Sequence, residues 1–290
     1  MRMLVAGGSG LIGSAVVRDL TERGDEVVRL VRRSPGPGEI RWDPDAGTID
    51  ASALEGFDAV VDIASMAWSG RWTAEFKKRI HDNRVGSYRL LAEALAHLER
   101  KPRVLVCASG MGIYADAGDR EIAEDGALGS DFLAGLQRDG EAATAAASAA
   151  GVRVVQLRLP AVLAGASLAA TTSNLRPLGN GRQWASWVAL DDVAGIVHHA
   201  LVTDALAGPV NVCSPNPVRN ADFVATVGRV LGRRPGRAVP AFVLRLMLGD
   251  LADALVLASR RMAPRRLLDT GYVFRHPDLE GAIRQGLAGN

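Results

Sequence analysis

Seven residues near the N-terminus, Gly7-Gly8-Ser9-Gly10-Leu11-Ile12-Gly13, have the composition of a loop that brings backbone amides against a phosphate. Glycines permit a tight turn and remove the side chains that would hold an anion away. A helix starting there adds free N–H groups and the positive end of its dipole. The spacing by itself says little. Here, however, Leu4 to Ala6 reads as a short buried strand before it. Ser14 to Arg23 reads as a helix after it, with Ala15, Val16 and Leu20 on one side and Arg18, Asp19 and Glu22 on the other. In that context Gly7, Gly10, Leu11, Ile12 and Gly13 are the expected contacts of a dinucleotide diphosphate. The competing reading is a glycine turn that binds nothing.

The end of the next strand chooses between dinucleotides. Glu26 to Val31 is β-rich and runs into Arg32-Arg33-Ser34. A site for NAD usually carries a carboxylate there for the ribose 2′-hydroxyl, and that charge repels a 2′-phosphate. A guanidinium pairs with the phosphate instead, through charged bidentate hydrogen bonds. Arg32 first, and Arg33 second, therefore point to NADP(H). The alternative is a pair of solvated loop arginines.

Candidates for chemistry on a substrate are fewer. Ser109 follows the apolar run Arg103 to Ala108, at a strand end where ligands of parallel sheets bind. It is expected either to hydrogen-bond a substrate carbonyl or to bond its own loop. Tyr114 offers an acidic hydroxyl, or an aromatic ring packed under the loop. Trp68 lies near Arg71 and Trp72 as an apolar substrate wall or a surface staple. Arg182, Gln183 and Trp184 supply a cation, an amide and a stacking surface, or else a structural junction. Asp116 reads as a turn residue, and Asp192 as the cap of a helix from Val193. His81, His198, His199 and His276 lack metal-ligand spacing, and no GxSxG elbow is present, so neither a metal site nor a serine hydrolase is expected.

The elements that must position these residues alternate. Asp58 to Ala64, Arg103 to Ala108 and Val152 to Leu159 read as strands, and Asn83 to Leu98 and Leu133 to Ala150 as helices. Repeated βα units imply an α/β Rossmann fold, a doubly wound parallel sheet with helices on both faces. The expected division is a dinucleotide domain over 1–165 and a smaller substrate lobe over 166–290, with 188–213 returning to the sheet. Segment 166–187 reads mostly as loops, and a strand is expected over Pro209 to Cys213. The 290 residues are 48% hydrophobic and 23% charged with a net charge of +2, which gives no basis for nucleic acid as a partner. Cys107 and Cys213 read as buried reduced thiols. No signal segment or apolar span is seen, so a cytoplasmic protein off the membrane is expected. Its partners would be a small-molecule substrate and, as an open option, a second copy of the chain.

With these residues in view, the chain resembles the extended short-chain dehydrogenases/reductases. Within them it resembles the atypical sugar-epimerase-like family that carries a C-terminal domain of unknown function. The resemblance rests on Gly7 to Gly13, Val60 to Ala64, Asn83-Arg84-Val85-Gly86-Ser87, Cys107 to Tyr114, Gly181-Arg182-Gln183-Trp184 with Trp187 to Asp192, and Gly271 to Pro277. It implies cofactor contacts at Ala64, Ser65 and Arg84. It also implies a reaction that normally uses a serine and a Tyr-x-x-x-Lys pair as acid–base and charge. Aligning Glu141 with the family's helix glutamate puts Leu133 in the tyrosine's place and Gln137 in the lysine's. Leucine holds no proton and glutamine no charge. The functions left are an NADP(H)-dependent oxidoreductase or epimerase-like enzyme, a redox-neutral isomerase or cyclase, and a non-catalytic NADP(H)-binding regulatory module.

Overall fold

Met3, Leu4, Val5 and Ala6 are all fully buried. Successive strand residues point to opposite sides, so the sheet they enter must be covered on both faces. The computed structural model describes residues 1–66 and 72–288. They divide into two units: Met1–Ser109, Leu136–Leu157 and Ala194–Val210 form one, and Gly110–Gly135, Arg158–Val193 and Asn211–Asn290 the other.

The first unit is built on β1 (Arg2–Ala6), β2 (Glu26–Val31), β3 (Glu39–Asp43), β4 (Thr48–Ile49), β5 (Ala59–Asp62) and β6 (Val104–Gly110). The strand order across the sheet is Gly208–Asn211, Arg153–Leu159, β6, β5, β1, β2, β3, β4. β1 runs parallel to β2 and β5, with Ala6 opposite both Leu30 and Asp62. Parallel pairing continues from β2 to β3 and from β5 to β6, while β4 turns back antiparallel. The carboxyl ends of β1, β2, β5 and β6 therefore share one edge, where the glycine loop, Arg32, Ala64 and Ser109 emerge. This is the doubly wound Rossmann arrangement the alternation predicts.

Helix α1 (Leu11–Glu22) buries Ala15, Val16 and Leu20. Helix α2 (Ala74–Ala96) sets Leu91 and Leu95 into a cluster with Leu4, Leu30 and Val60. Each such leucine contributes roughly 1.5–3 kcal/mol by leaving water. α2 starts well before the predicted Asn83, because Thr73 caps it by accepting the Phe76 amide at 3.2 Å. β3 and β4 lie where the pattern predicts nothing. They have five and two residues. Trp42, 3% exposed, is the side chain that fixes β3 in the core. The alanine-rich stretch breaks into α3 (Phe132–Ala142) and a helix over Ala145–Ala149. Between them the Thr144 hydroxyl donates to the Glu141 carbonyl at 2.7 Å, a local bond that competes with helix continuation.

In the second unit, Ala161–Leu163 pairs in parallel with Trp187–Ala189, and Trp184–Ala185 pairs antiparallel with Val218–Arg219. Its core joins Leu163, Leu168, Trp187, Phe223, Val227 and Ile283. Gly165–Ser173 is a helix, not the predicted loop. Its apolar anchor is the buried Leu168, while the Thr172 and Ser173 hydroxyls bond back to the Ala169 carbonyl within the helix. Cys107 and Cys213 are free thiols, and burial pushes both well above the usual thiol range. Among the described residues no helix is long and apolar enough to cross a membrane.

Candidate functional site

The glycine loop joins β1 to α1 in a way that depends on absent side chains. Gly7 has φ of +80°, and a Cβ there would lie 2.6 Å from the Ala64 nitrogen. A Cβ on Gly13 would lie 1.9 Å from the Gly7 carbonyl oxygen. Gly10 is different: a Cβ there meets nothing closer than 3.5 Å and would project from an exposed position. Gly10 also caps α1 with no side-chain hydrogen bond, and no acidic residue stands in the first turn. The first amides of α1 and its positive dipole end thus face outward with no internal anion.

They face a cleft of about 790 Å³. The whole loop from Gly7 to Gly13 lines it, with Arg32 and Arg33 after β2 and Ala64 and Ser65 after β5. The sequence signals therefore converge on one wall. The cradle fits a dinucleotide: a bare amide turn for the diphosphate and guanidiniums one strand away. Arg29, Glu39, Trp42, Pro44 and Asn83 line it too and escaped sequence reasoning. β3 is what brings Glu39 and Trp42 there, and β3 gave no periodic signal.

The two predicted arginines behave differently. Arg32 is exposed and has no side-chain partner among the described residues. Arg33 donates from both terminal nitrogens to Glu39, at 2.7 and 2.6 Å. That pairing raises the Arg33 pKa and holds the Glu39 carboxyl below the usual carboxylate range. Arg84 does not line the cleft. It is buried, donates to the Ala108 carbonyl at 3.0 Å and the Tyr88 hydroxyl at 3.2 Å, and reaches the Ser65 hydroxyl at 3.4 Å from behind. It supports the wall instead of forming it.

Neither candidate acid on the β6 side is free. The Ser109 hydroxyl donates to Glu141 Oε1 at 2.7 Å and is 6% exposed. With its proton so committed, Ser109 offers only lone pairs to any other group. Tyr114 is fully buried, in keeping with the packed ring of its two readings. Its hydroxyl donates to Asn211 Oδ1 at 2.7 Å and accepts from Arg158 at 2.8 Å. Asn211 and Arg158 bond onward to Glu124. Tyr114→Phe is accordingly expected to cost about 1–3 kcal/mol in a urea melt, the usual penalty for orphaning a buried partner, with dinucleotide affinity unchanged. Leu133 is buried with its Cβ against Gly112, and Gln137 is also buried.

The other predicted substrate residues lie in the second unit. The Trp184 ring has Arg219 4.2 Å and Arg261 4.7 Å from its centroid, so cations already pack against the expected stacking surface. Arg182 is exposed and takes an Arg219 hydrogen bond on its carbonyl. Gln183 donates to the carbonyls of Leu178 and Val256, a structural tie. Asp192 is no helix cap. Fully buried, it accepts from the Arg275 and His276 amides at 2.7 and 3.0 Å and from Tyr272, anchoring the C-terminal box. Trp68 lies outside the described residues.

The model of the NAD dependent epimerase/dehydratase family matches residues 3–213, and a domain of unknown function, DUF1731, matches residues 239–285. Epimerase family protein ML0860 of Mycobacterium leprae is 36% identical over 96% of this chain and 93% of its own. The crystal structure of human epimerase family protein SDR39U1 (isoform 2) with NADPH superposes at a TM-score of 0.89, with 33% identity and full coverage of both chains. UDP-glucose 4-epimerase of Thermus thermophilus, complexed with NAD, shares the fold at a TM-score of 0.76 and 22% identity, covering 100% of this chain and 99% of its own.

Proposed function

We infer, from a chain that belongs to the NAD-dependent epimerase/dehydratase family, that this protein binds NADP(H) and acts as an oxidoreductase or epimerase-like enzyme on a small metabolite without the family's usual Tyr-Lys pair. One observation carries the reading: the bare glycine loop on α1 and the unpartnered Arg32 line the same cleft. The human relative crystallised with NADPH supports it. The two buried free thiols suit a reducing cytoplasm.

When bound, NADP(H) supplies hydride transfer. The amides of the Gly10 to Gly13 turn would hold its diphosphate, and Arg32 would pair with its 2′-phosphate. Asn83 and Ser65 close the wall beside it. Tyr114 is locked in its network and Ser109 donates to Glu141, so the proton comes from a bound water or from the substrate. The buried Leu133 and Gln137 favour one other reading, a non-catalytic NADP(H)-binding module.

Calorimetry with NADPH and NADH tests the cofactor. Arg32→Glu is expected to weaken NADPH about 10- to 100-fold and leave NADH nearly unchanged, because a charged pair becomes a repulsion. NADPH should also raise the melting temperature by mass action. No shift at millimolar NADPH would sink the reading. If NADPH binds but is not oxidised with any of a panel of ketones, aldehydes and nucleotide sugars, the non-catalytic reading replaces the enzymatic one.

A further inference from the structure

The two arginines after β2 stand on either side of a division made by a third residue. Glu39 opens β3, and its side chain is 3% exposed. It receives both terminal nitrogens of Arg33, Arg29 Nη2 at 3.0 Å and the Gly36 amide at 2.9 Å. Arg33 Nη1 also donates to the Ser34 carbonyl at 2.9 Å. The fork that a phosphate takes from an arginine is therefore occupied in Arg33. Arg29 is tied to the same carboxylate. Arg32 has no side-chain partner among the described residues, and all four residues line the cleft of the glycine loop.

The charges decide what this arrangement does. A phosphate monoester carries between about 1.5 and 2 negative charges at pH 7. Glu39 is the one carboxylate among the described residues that line the cleft. It cancels one of the two guanidinium charges it binds and repels a dianion placed near Arg32. Its own charge works against a 2′-phosphate and does not repel a neutral 2′-hydroxyl.

We propose that Glu39 is a specificity-determining residue: it withholds Arg33 and Arg29 from the 2′-phosphate and lowers the preference for NADP(H) over NAD(H), leaving Arg32 to read the phosphate alone. This rests on the reading of the cleft as a dinucleotide site.

The test titrates NADPH and NADH calorimetrically against the intact wild-type chain, Glu39→Gln, Arg33→Gln/Glu39→Gln and Arg32→Gln/Glu39→Gln. Glutamine keeps an acceptor for the Gly36 amide and removes the charge. Glu39→Gln is expected to raise the NADPH-to-NADH affinity ratio about five- to tenfold, as removal of a nearby screened charge should. NADH affinity, the internal control for an intact cleft, stays within about threefold because its 2′-hydroxyl carries no charge. Arg33→Gln/Glu39→Gln loses one charge of each sign and returns the ratio to within about threefold of wild type. Arg32→Gln/Glu39→Gln keeps a preference below that of Glu39→Gln, carried by the freed Arg33 and Arg29. A flat or lowered ratio in Glu39→Gln overturns the role of Glu39, and a loss of about tenfold or more in Arg33→Gln/Glu39→Gln makes Arg33 a phosphate ligand and overturns it equally. A wild-type chain that binds neither nucleotide overturns the reading of the cleft itself, and this inference with it.

Discussion

A methyl group added at residue 13 is expected to unfold the glycine loop and abolish dinucleotide binding, whereas the same methyl at residue 10 removes binding and spares the fold. The two glycines differ in what surrounds them. At Gly13 the new carbon would sit 1.9 Å from the Gly7 oxygen, 2.7 Å from the Gly7 carbonyl carbon and 2.9 Å from the Gly8 Cα. All three are backbone atoms, so no side-chain rotation relieves the overlap and the loop must separate from α1. Overpacking of this kind costs about 3 kcal/mol or more where relaxation is blocked. At Gly10 the backbone is extended, with φ of −77°, which any residue adopts. The nearest atom to the new carbon is 3.5 Å away, an ordinary contact. Gly10→Ala therefore loses about 1 kcal/mol at most, through a poorer helix cap. The methyl nevertheless stands where a diphosphate must approach the first amides of α1. Thermal melts and NADPH calorimetry on both variants separate the two effects. Equal melting temperatures for Gly13→Ala and wild type would show that the loop is looser than its contacts imply. Full NADPH affinity in Gly10→Ala would place the diphosphate elsewhere.

The same comparison explains how much could be read from residues alone. The glycine loop, the arginines after β2 and the strands that position them are local patterns, and each is legible within a few residues of its neighbours. Partnership is not local. Tyr114 can be read as an acid or a packed ring until Asn211, 97 positions away, accepts its hydroxyl hydrogen bond. Ser109 looks free until Glu141, 32 positions on, accepts from it. Arg84 has the residue type and place of a cofactor contact, yet its helix turns it toward the Ala108 carbonyl, while its neighbour Asn83 faces the cleft. A one-residue step along a helix rotates a side chain by about 100°, enough to exchange those roles. Glu39 was invisible for a further reason: β3 is too short to show alternation, so nothing announced that its first residue would meet Arg33. Asp192 reads as a helix cap because aspartate favours that place. Its true partners are amides more than 80 positions away in the C-terminal box.

Asp62→Asn is expected to make the protein more stable at neutral pH, and the gain should vanish in acid. Asp62 ends β5 with no exposure at all. Its Oδ1 accepts from the Ala64 amide at 3.1 Å, while Oδ2 has no hydrogen-bond partner among the described residues. Burial penalises the ionised form and pushes its pKa up from 3.8 to about 6, against the opposing pull of the Ala64 amide and the Arg84 charge. The sign is the reverse of the usual salt-bridged carboxylate. Between those two values the folded chain holds a proton that the unfolded chain has released, so stability falls as pH rises through that window. Above pH 6 the whole cost is present, and the shift of roughly two units corresponds to about 3 kcal/mol. Below about pH 3 both states are protonated and the cost is gone. Asparagine resembles the protonated acid and retains an acceptor for the Ala64 amide. The difference between variant and wild type in urea midpoints should therefore grow from near zero at about pH 3 to its full value at pH 7.5, with other titrating groups cancelling. A variant that is less stable than wild type at pH 7.5 would mean that the ionised carboxylate is held by Arg84 as a favourable pair, and that the β5 end is stabilised by the charge it carries.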